Sequence, residues 1–220
     1  MSSFEGSNLT TVVYERLKDD ILRGKYQKGT ALAENTVAEQ LSVSRTPVRE
    51  ALRLLEISGL VTIKPNKGAV VEGISIDDIK DIYEIRSLIE GLAAKKAAEQ
   101  ATEQDVERLS EIIDLTEFYF EKGHFEKLQT MDGRFHNAVY ELCGGRMLNH
   151  ILTDLHSYVL RFRKMSIVKE DRVRETLKEH RLIMDAIANH NGEKASELMT
   201  LHVKNALVSI LKIIEQENMV

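Results

Sequence analysis

Asp132, His136, His180 and His202 lie in three separate stretches of the chain, and each falls on the apolar side of a stretch with helical periodicity. Asp132 and His136 are four residues apart and leave one helical face, beside Leu128, Phe135, Val139 and Leu142. His180 sits at helical spacing among Leu177, Ile183, Met184 and Ile187, and His202 among Leu198, Met199, Ala206 and Ile210. Any fold that buries these stripes carries three imidazoles and a carboxylate inward, and such groups are costly to bury without partners. Neutral imidazole is a common ligand for first-row divalent metals, and three His plus one Asp leave one or two coordination positions open. The expectation is an open metal site, with zinc first and nickel or manganese as alternatives. His124, His150, His156 and His190 lack this company and are expected to be hydrogen-bonded core residues.

The same periodicity marks six helical segments near 76–98, 103–121, 125–142, 147–165, 168–189 and 193–215, punctuated by Gly123, Gly144-Gly145 and Asn191-Gly192. With no strand pattern among them and short connections, an antiparallel six-helix bundle is the economical way to bury the stripes. Glu72-Gly73-Ile74-Ser75 is the expected hinge, since Gly73 interrupts a strand pattern and Ser75 can cap the following helix. It divides the 220 residues into domains at 1–74 and 75–220, a length that suits two cores. Cys143 is the single cysteine, no apolar run reaches membrane-spanning length, and the polar N-terminus lacks the features of a signal peptide. The expected location is therefore the cytoplasm, with no membrane partner.

Charge is unevenly placed. Residues 1–74 carry ten Lys/Arg against nine Asp/Glu, while 75–220 carry twenty against twenty-six, for a total of -5. Within 44–67, Arg45, Arg49, Arg53, Lys64 and Lys67 meet only Glu50 and Glu56, a local basic stripe able to bind DNA despite the acidic total. Thr10–Arg23 reads as an amphipathic helix on Val13, Leu17 and Ile21, and a short helix follows over Glu34–Leu41. Ser42-Val43-Ser44 breaks it, and a third helix starts near Ser44, a plausible N-cap, with Pro47 in its first turn. Val48, Ala51, Leu52 and Leu55 form its packing stripe, and Arg45, Arg49, Arg53 and Glu56 form a polar one alongside. Gly59 ends it. Leu60–Ile63 and Ala69–Val71 then read as two strands joined by a basic tip, Lys64-Pro65-Asn66-Lys67-Gly68. Helix, three-residue turn, helix and basic hairpin together specify a winged helix-turn-helix, which a merely solvated arginine face would not require.

The run Leu41-Ser42-Val43-Ser44-Arg45-Thr46-Pro47-Val48-Arg49-Glu50-Ala51-Leu52, with Gly59-Leu60-Val61 and Pro65-Asn66-Lys67-Gly68-Ala69, closely resembles the winged-helix domain of GntR-family bacterial transcription regulators over roughly residues 8–74. The resemblance implies that the third helix enters the major groove of operator DNA. Ser44 then begins the reading helix, Arg45 and Arg49 lie on guanine edges or nearby phosphates, and Thr46 offers a hydroxyl. It further implies that Gly68 lets the hairpin backbone approach the minor groove between Asn66 and Lys67. Many members carry an arginine in the second helix where this chain has Asn35 beside Glu34. The bundle resembles the effector domain of the FadR branch, in its six-helix, VanR-like form. Metal-binding members there carry an Asp-x-x-x-His pair and two later histidines, which fall here on Asp132, His136, His180 and His202. An arginine of the first bundle helix often faces the ligand cavity in that family, which points to Arg86. Its alternative is a surface ion pair with Glu90. Arg134, Arg161 and Arg163 are weaker candidates for the same role.

The fold class expected from these observations is mainly α, an N-terminal winged helix-turn-helix plus a six-helix antiparallel bundle. The expected function is a homodimeric regulator, a repressor without catalytic residues, binding double-stranded operator DNA, a divalent metal and a small carboxylate effector. A rival is a metal-dependent hydrolase with an accessory DNA-binding domain, because an open three-histidine site can activate water. It lacks an adjacent His-Asp pair and a glutamate motif placed as general base.

Overall fold

Val13, Leu17 and Ile21 recur every four residues, and a helix buries them together. In the computed structural model all three lie in the core, on α1 (Ser3–Leu22). The structure describes the backbone of residues 3–64, 68–166 and 169–216, and the side chains of 9–64, 68–159 and 169–216. Within these residues the chain forms two compact units, Met1–Ile76 and Asp77–Val220.

In the first unit α1 packs on α3 (Arg45–Ile57), whose Val48, Ala51, Leu52 and Leu55 are buried as their spacing predicts. Before α3 comes α2 (Glu34–Leu41), and the two are separated by a tight turn. Ser42 closes it in the left-handed region at φ 54°, donating its N–H to Glu39 O, while Val43 N–H reaches Ala38 O. Ser44 takes the N-cap position with extended backbone, but its side chain makes no capping hydrogen bond. Pro47 explains the difference from expectation, because it occupies N3 and has no N–H to give the cap.

The wing is a three-stranded antiparallel sheet in the order β1-β3-β2, made of β1 (Ala31–Leu32), β2 (Val61–Lys64) and β3 (Gly68–Val71). β2 and β3 pair with Lys64 opposite Gly68, and Leu32 of β1 lies opposite Ala69. The two residues of β1 are too few to carry a sequence period, and β1 was not expected. Glu56 of α3 accepts the Ile63 N–H at 2.8 Å and so ties the wing to the helix before it. Asn66 and Lys67, the expected groove contacts, lie outside the described residues.

The second unit is built from α4 (Ile76–Gln100), α5 (Glu103–Glu121), α6 (Phe125–Leu142), α7 (Arg146–Ser166), α8 (Glu170–Ala188) and α9 (Gly192–Gln216). Each boundary lies within two residues of the one read from periodicity. α5 is closed by a reciprocal capping box between Thr102 and Asp105, which satisfies two backbone donors at its start. Contacts run from α6 to α5, α5 to α8, α8 to α9, α9 to α7 and α7 back to α6, so these five helices surround a common interior. α4 joins them through small residues. Ala93, Ala94, Ala97 and Ala98 are buried, Thr200 Oγ1 donates to Ser87 O at 3.0 Å, and a Cβ on Gly91 would run into Thr200 Oγ1. Among the described residues no helix is long and apolar enough to cross a membrane.

Gly68 has a reason to be glycine within the protein itself. Its φ is +74°, and a Cβ there would lie 2.9 Å from the backbone oxygen of Leu32. Gly68→Ala combines a disfavoured backbone region with a backbone clash, and stability should fall by about 1–3 kcal/mol. The expected reading is a lower urea midpoint at unchanged slope. An unchanged midpoint would mean that β1 and β3 separate without resistance.

Candidate functional site

Two turns of α6 place Asp132 and His136 on one inward face, α8 adds His180 and α9 adds His202, and all four are buried. One donor atom from each lies within 4.8 Å of all the others. The structure thus brings the four residues from three stretches together at one place.

The hydrogen-bonding of two rings shows what this place can hold. His136 Nδ1 is 2.7 Å from Glu90 Oε2, and His202 Nδ1 is 2.6 Å from Glu179 Oε2. An ionised carboxylate only accepts, so each ring donates from Nδ1 and turns the lone pair of Nε2 to the other side. Those two Nε2 atoms face each other at 3.2 Å. Two lone pairs at that distance repel, and a shared proton or a metal cation between them turns the repulsion into attraction. Asp132 Oδ1 stands 3.7 Å from His180 Nε2 and 4.0 Å from His136 Nε2, too far for hydrogen bonds. The separations suit ligands of a common ion, since bonds of about 2.0–2.2 Å put neighbouring ligand atoms about 3–4 Å apart. His180 is fixed by stacking on Phe135, with centroids 3.8 Å apart and planes 13° from parallel.

Each carboxylate is itself held by an arginine. On α8, Arg172 grips Glu179 through two bonds of 3.0 and 2.8 Å, and Asn205 of α9 adds a third at 2.7 Å. Burial pushes the Glu179 carboxyl up, but hydrogen bonds from His202 and Arg172, with the charge of Arg172, outweigh it and hold the group at about 2. Glu179 is thus ionised at any ordinary pH and keeps the His202 hydrogen on Nδ1. On α4, Arg86 Nε is 2.7 Å and Nη2 2.6 Å from Glu90 Oε1, in a pair that is almost fully buried. Burial disfavours the Arg86 charge, yet Glu90 raises its pKa. Of the two sequence readings of Arg86, the surface ion pair needs correction. The pair with Glu90 exists but is internal, and it orients His136 instead of facing solvent. Arg86 also lies with its guanidinium carbon 4.6 Å from the centroid of the Tyr83 ring, and its Nη1 is buried without a hydrogen-bond partner among the described residues.

Sequence reasoning missed Glu179, Arg172 and Asn205. Arg172 and Glu179 are seven residues apart and so share a face of α8, a visible signal, but their link to His202 is tertiary. Of the other histidines, His156 is buried with its ring 6.2 Å from His136, and His190 Nδ1 bonds Ala98 O at 2.9 Å. His124, His150 and His190 are exposed, contrary to the core reading given them: His124 precedes α6, His150 lies on the outer face of the first turns of α7, and His190 lies in the turn between α8 and α9. Arg134 is also exposed, its Nη1 3.8 Å from Met131 Sδ, and the side chains of Arg161 and Arg163 lie outside the described residues. Beside Asp132 and His180 a cavity of about 10 Å³, lined also by Thr116, Leu128, Val173 and Leu177, has room for about one water. A groove of about 580 Å³ along α8 and α9 reaches Arg172, Glu179 and Asn205 from solvent.

On the first unit Ser44, Arg45, Thr46 and Arg49 all lie exposed on one end of α3. Arg53 pairs with Glu50 at 2.9 Å, one turn back on the same helix. Glu34 of α2 accepts from Arg49 Nε and Nη2 at 2.9 Å each and from Arg45 Nη2 at 3.2 Å. No sequence argument had joined Glu34 to either arginine.

Comparison with known proteins gives this geometry a setting. Residues 9–71 match the model for "Bacterial regulatory proteins, gntR family", and residues 81–205 match that for the FCD domain. The HTH-type transcriptional repressor RspR of Escherichia coli (strain K12) is 29% identical, with 94% of this chain and 90% of that protein covered. The gluconate operon transcriptional repressor of Bacillus subtilis (strain 168) is 29% identical over 87% of this chain and 79% of its own length. The solved structure of E. coli McbR/YncC superposes with a TM-score of 0.73 at 24% identity, covering 93% of this chain and 97% of that one, and shows the same fold. The family models and the two repressors describe regulators and not enzymes, which speaks against the hydrolase. With its DNA-binding helix-turn-helix followed by a helical FCD domain, the chain belongs to the GntR family of bacterial regulatory proteins.

Proposed function

We propose that this protein is a homodimeric repressor of the FadR branch, in its six-helix, VanR-like form. Its bundle holds a divalent metal through Asp132, His136, His180 and His202 and responds to a small carboxylate. The observation that carries the metal is the 3.2 Å approach of two Nε2 atoms whose Nδ1 partners are both carboxylates. Zinc suits this nitrogen-rich set, with nickel and manganese next. The ion supplies positive charge and an open position for an acidic oxygen. Around it the chain's own residues do the rest: Glu90 and Glu179 fix the imidazole orientations, Phe135 stacks His180, and Arg86 offers Nη1 as a further cationic donor. A sugar acid or other organic acid fits that chemistry, and the name of the gluconate operon repressor agrees with it.

Ser44, Arg45, Thr46, Arg49 and Gly68, with Asn66 and Lys67, are the proposed operator contacts. One winged helix reads one half-site, and a near-palindromic operator calls for two copies related by a dyad. α4 leaves Ile85, Leu88 and Leu92 exposed at helical spacing, an apolar stripe suited to a second copy of this chain.

Three outcomes test this reading. Metal analysis of purified protein should find about one divalent ion per chain, a chelator should lower the melting temperature, and zinc should restore it, whereas His136→Ala should melt alike with and without chelator. Metal-free protein indifferent to chelator and to added zinc, nickel or manganese defeats the metal assignment. Glu179→Gln should weaken metal affinity by roughly 10–100-fold while leaving the four ligands in place, and titration against a chromophoric chelator measures it. Leu88→Glu should shift sedimentation from dimer to monomer without changing metal content, and a wild-type monomer at micromolar concentration rules the dimer out.

A further inference from the structure

Glu34 presents an acidic group on a surface assigned to polyanion binding, where general electrostatics disfavours it. Its geometry is nevertheless specific. Two parallel bonds of 2.9 Å join its carboxylate to the Nε and Nη2 of Arg49, and the oxygen facing Nη2 also accepts from Arg45 at 3.2 Å. One carboxylate thus spans two arginines a single turn apart on α3, both of them exposed. Glu34 is the first residue of α2 and the arginines stand at the start of α3, so the helix-turn-helix itself sets the span. Hydrogen bonds from Arg49 dominate over a smaller burial effect and hold the Glu34 carboxyl at about 2, so the carboxylate is ionised at neutral pH.

The face therefore carries one net positive charge from three charged groups, and it attracts phosphate less than two free arginines would. What it gains is order. A free arginine samples many rotamers and must be immobilised to meet a base edge, whereas a guanidinium fixed along its Nε–Nη2 edge presents its remaining N–H donors in one direction. We propose that Glu34 is a positioning residue for base reading, which trades general phosphate attraction for sequence discrimination by holding Arg49 and Arg45 in their reading orientation. The inference rests on the assignment of α3 as the DNA-reading helix.

The experiment uses full-length protein and two duplexes, one selected from a random-sequence library by the wild type and one of scrambled sequence. Glu34→Ala should bind the scrambled duplex as tightly as wild type or more tightly, with a steeper salt dependence. It should lose about tenfold in preference for the selected duplex, the scale of one misaligned bidentate contact. Glu34→Gln keeps one acceptor oxygen at the same reach and should recover part of that preference. Melting temperatures near wild type for both variants separate positioning from folding. Equal tightening on both duplexes would make Glu34 a mere repulsive charge and overturn the proposal, as would unchanged affinity on both. If the wild type selects no preferred sequence at all, the DNA-reading assignment fails, and the proposal fails with it.

Discussion

The mutual approach of His136 and His202 is the constraint around which the bundle is organised. Each ring has one nitrogen committed to a carboxylate, fully buried for Glu90 and partly buried for Glu179, and the other aimed at its counterpart, so neither can rotate to relieve the contact without abandoning that carboxylate. Removing one partner of a buried charge pair typically costs about 3–5 kcal/mol, because the other charge is left uncompensated. Side-chain orientation in this core is therefore set by electrostatics as much as by packing. The helices that carry the rings, α6 and α9, are held at a fixed separation together with α8 and α4, which carry the carboxylates.

Two chains of the same composition converge there. Arg86, Glu90 and His136 form one, and Arg172, Glu179 and His202 form the other. They differ in setting. The first is sealed, with arginine and glutamate almost wholly buried, while the second has its arginine and glutamate along a groove open to solvent. A buried arginine has no water to replace a lost partner, so the first chain is the more rigid. The second can exchange its outer hydrogen bonds with solvent or solutes, and through Glu179 it is the side from which the basicity of a coordinating imidazole can be tuned.

Periodicity carried most of the fold. The six bundle helices and the turn between α2 and α3 were legible because apolar stripes and glycine punctuation are local, and Asp132, His136, His180 and His202 were legible because an inward polar residue stands out against an apolar row. What escaped was tertiary or too short. β1 is two residues long. Glu179 follows His180's neighbours around the helix and meets His202 only because α8 packs on α9. Glu90 was visible as the i+4 partner of Arg86, but spacing fixes which residues meet and not whether water surrounds them. The pairing of Glu34 with Arg45 and Arg49 crosses a turn whose geometry no propensity reports, and the same turn puts Pro47 where it denies Ser44 its expected cap bond.

In the proposed reading, the small space described beside Asp132 and His180 bears on how a signal can be received. The cavity of about 10 Å³ described there admits a water and no organic acid, so an effector entering on that side needs a form in which the helices have parted. The apparent affinity is then the intrinsic affinity reduced by the population of that open form, and the effector can shift the equilibrium only by its preference for it. Opening would have to leave His136 and His202 together, since separating them would expose the charges that hold them. The movement therefore falls to elements that line the cavity without ligating through a fixed carboxylate, namely the Thr116 turn of α5 and the Val173–Leu177 turn of α8. Parting at that seam enlarges the space next to Asp132 and His180 and leaves the imidazole pair intact, so ion retention and effector entry are compatible in one small core.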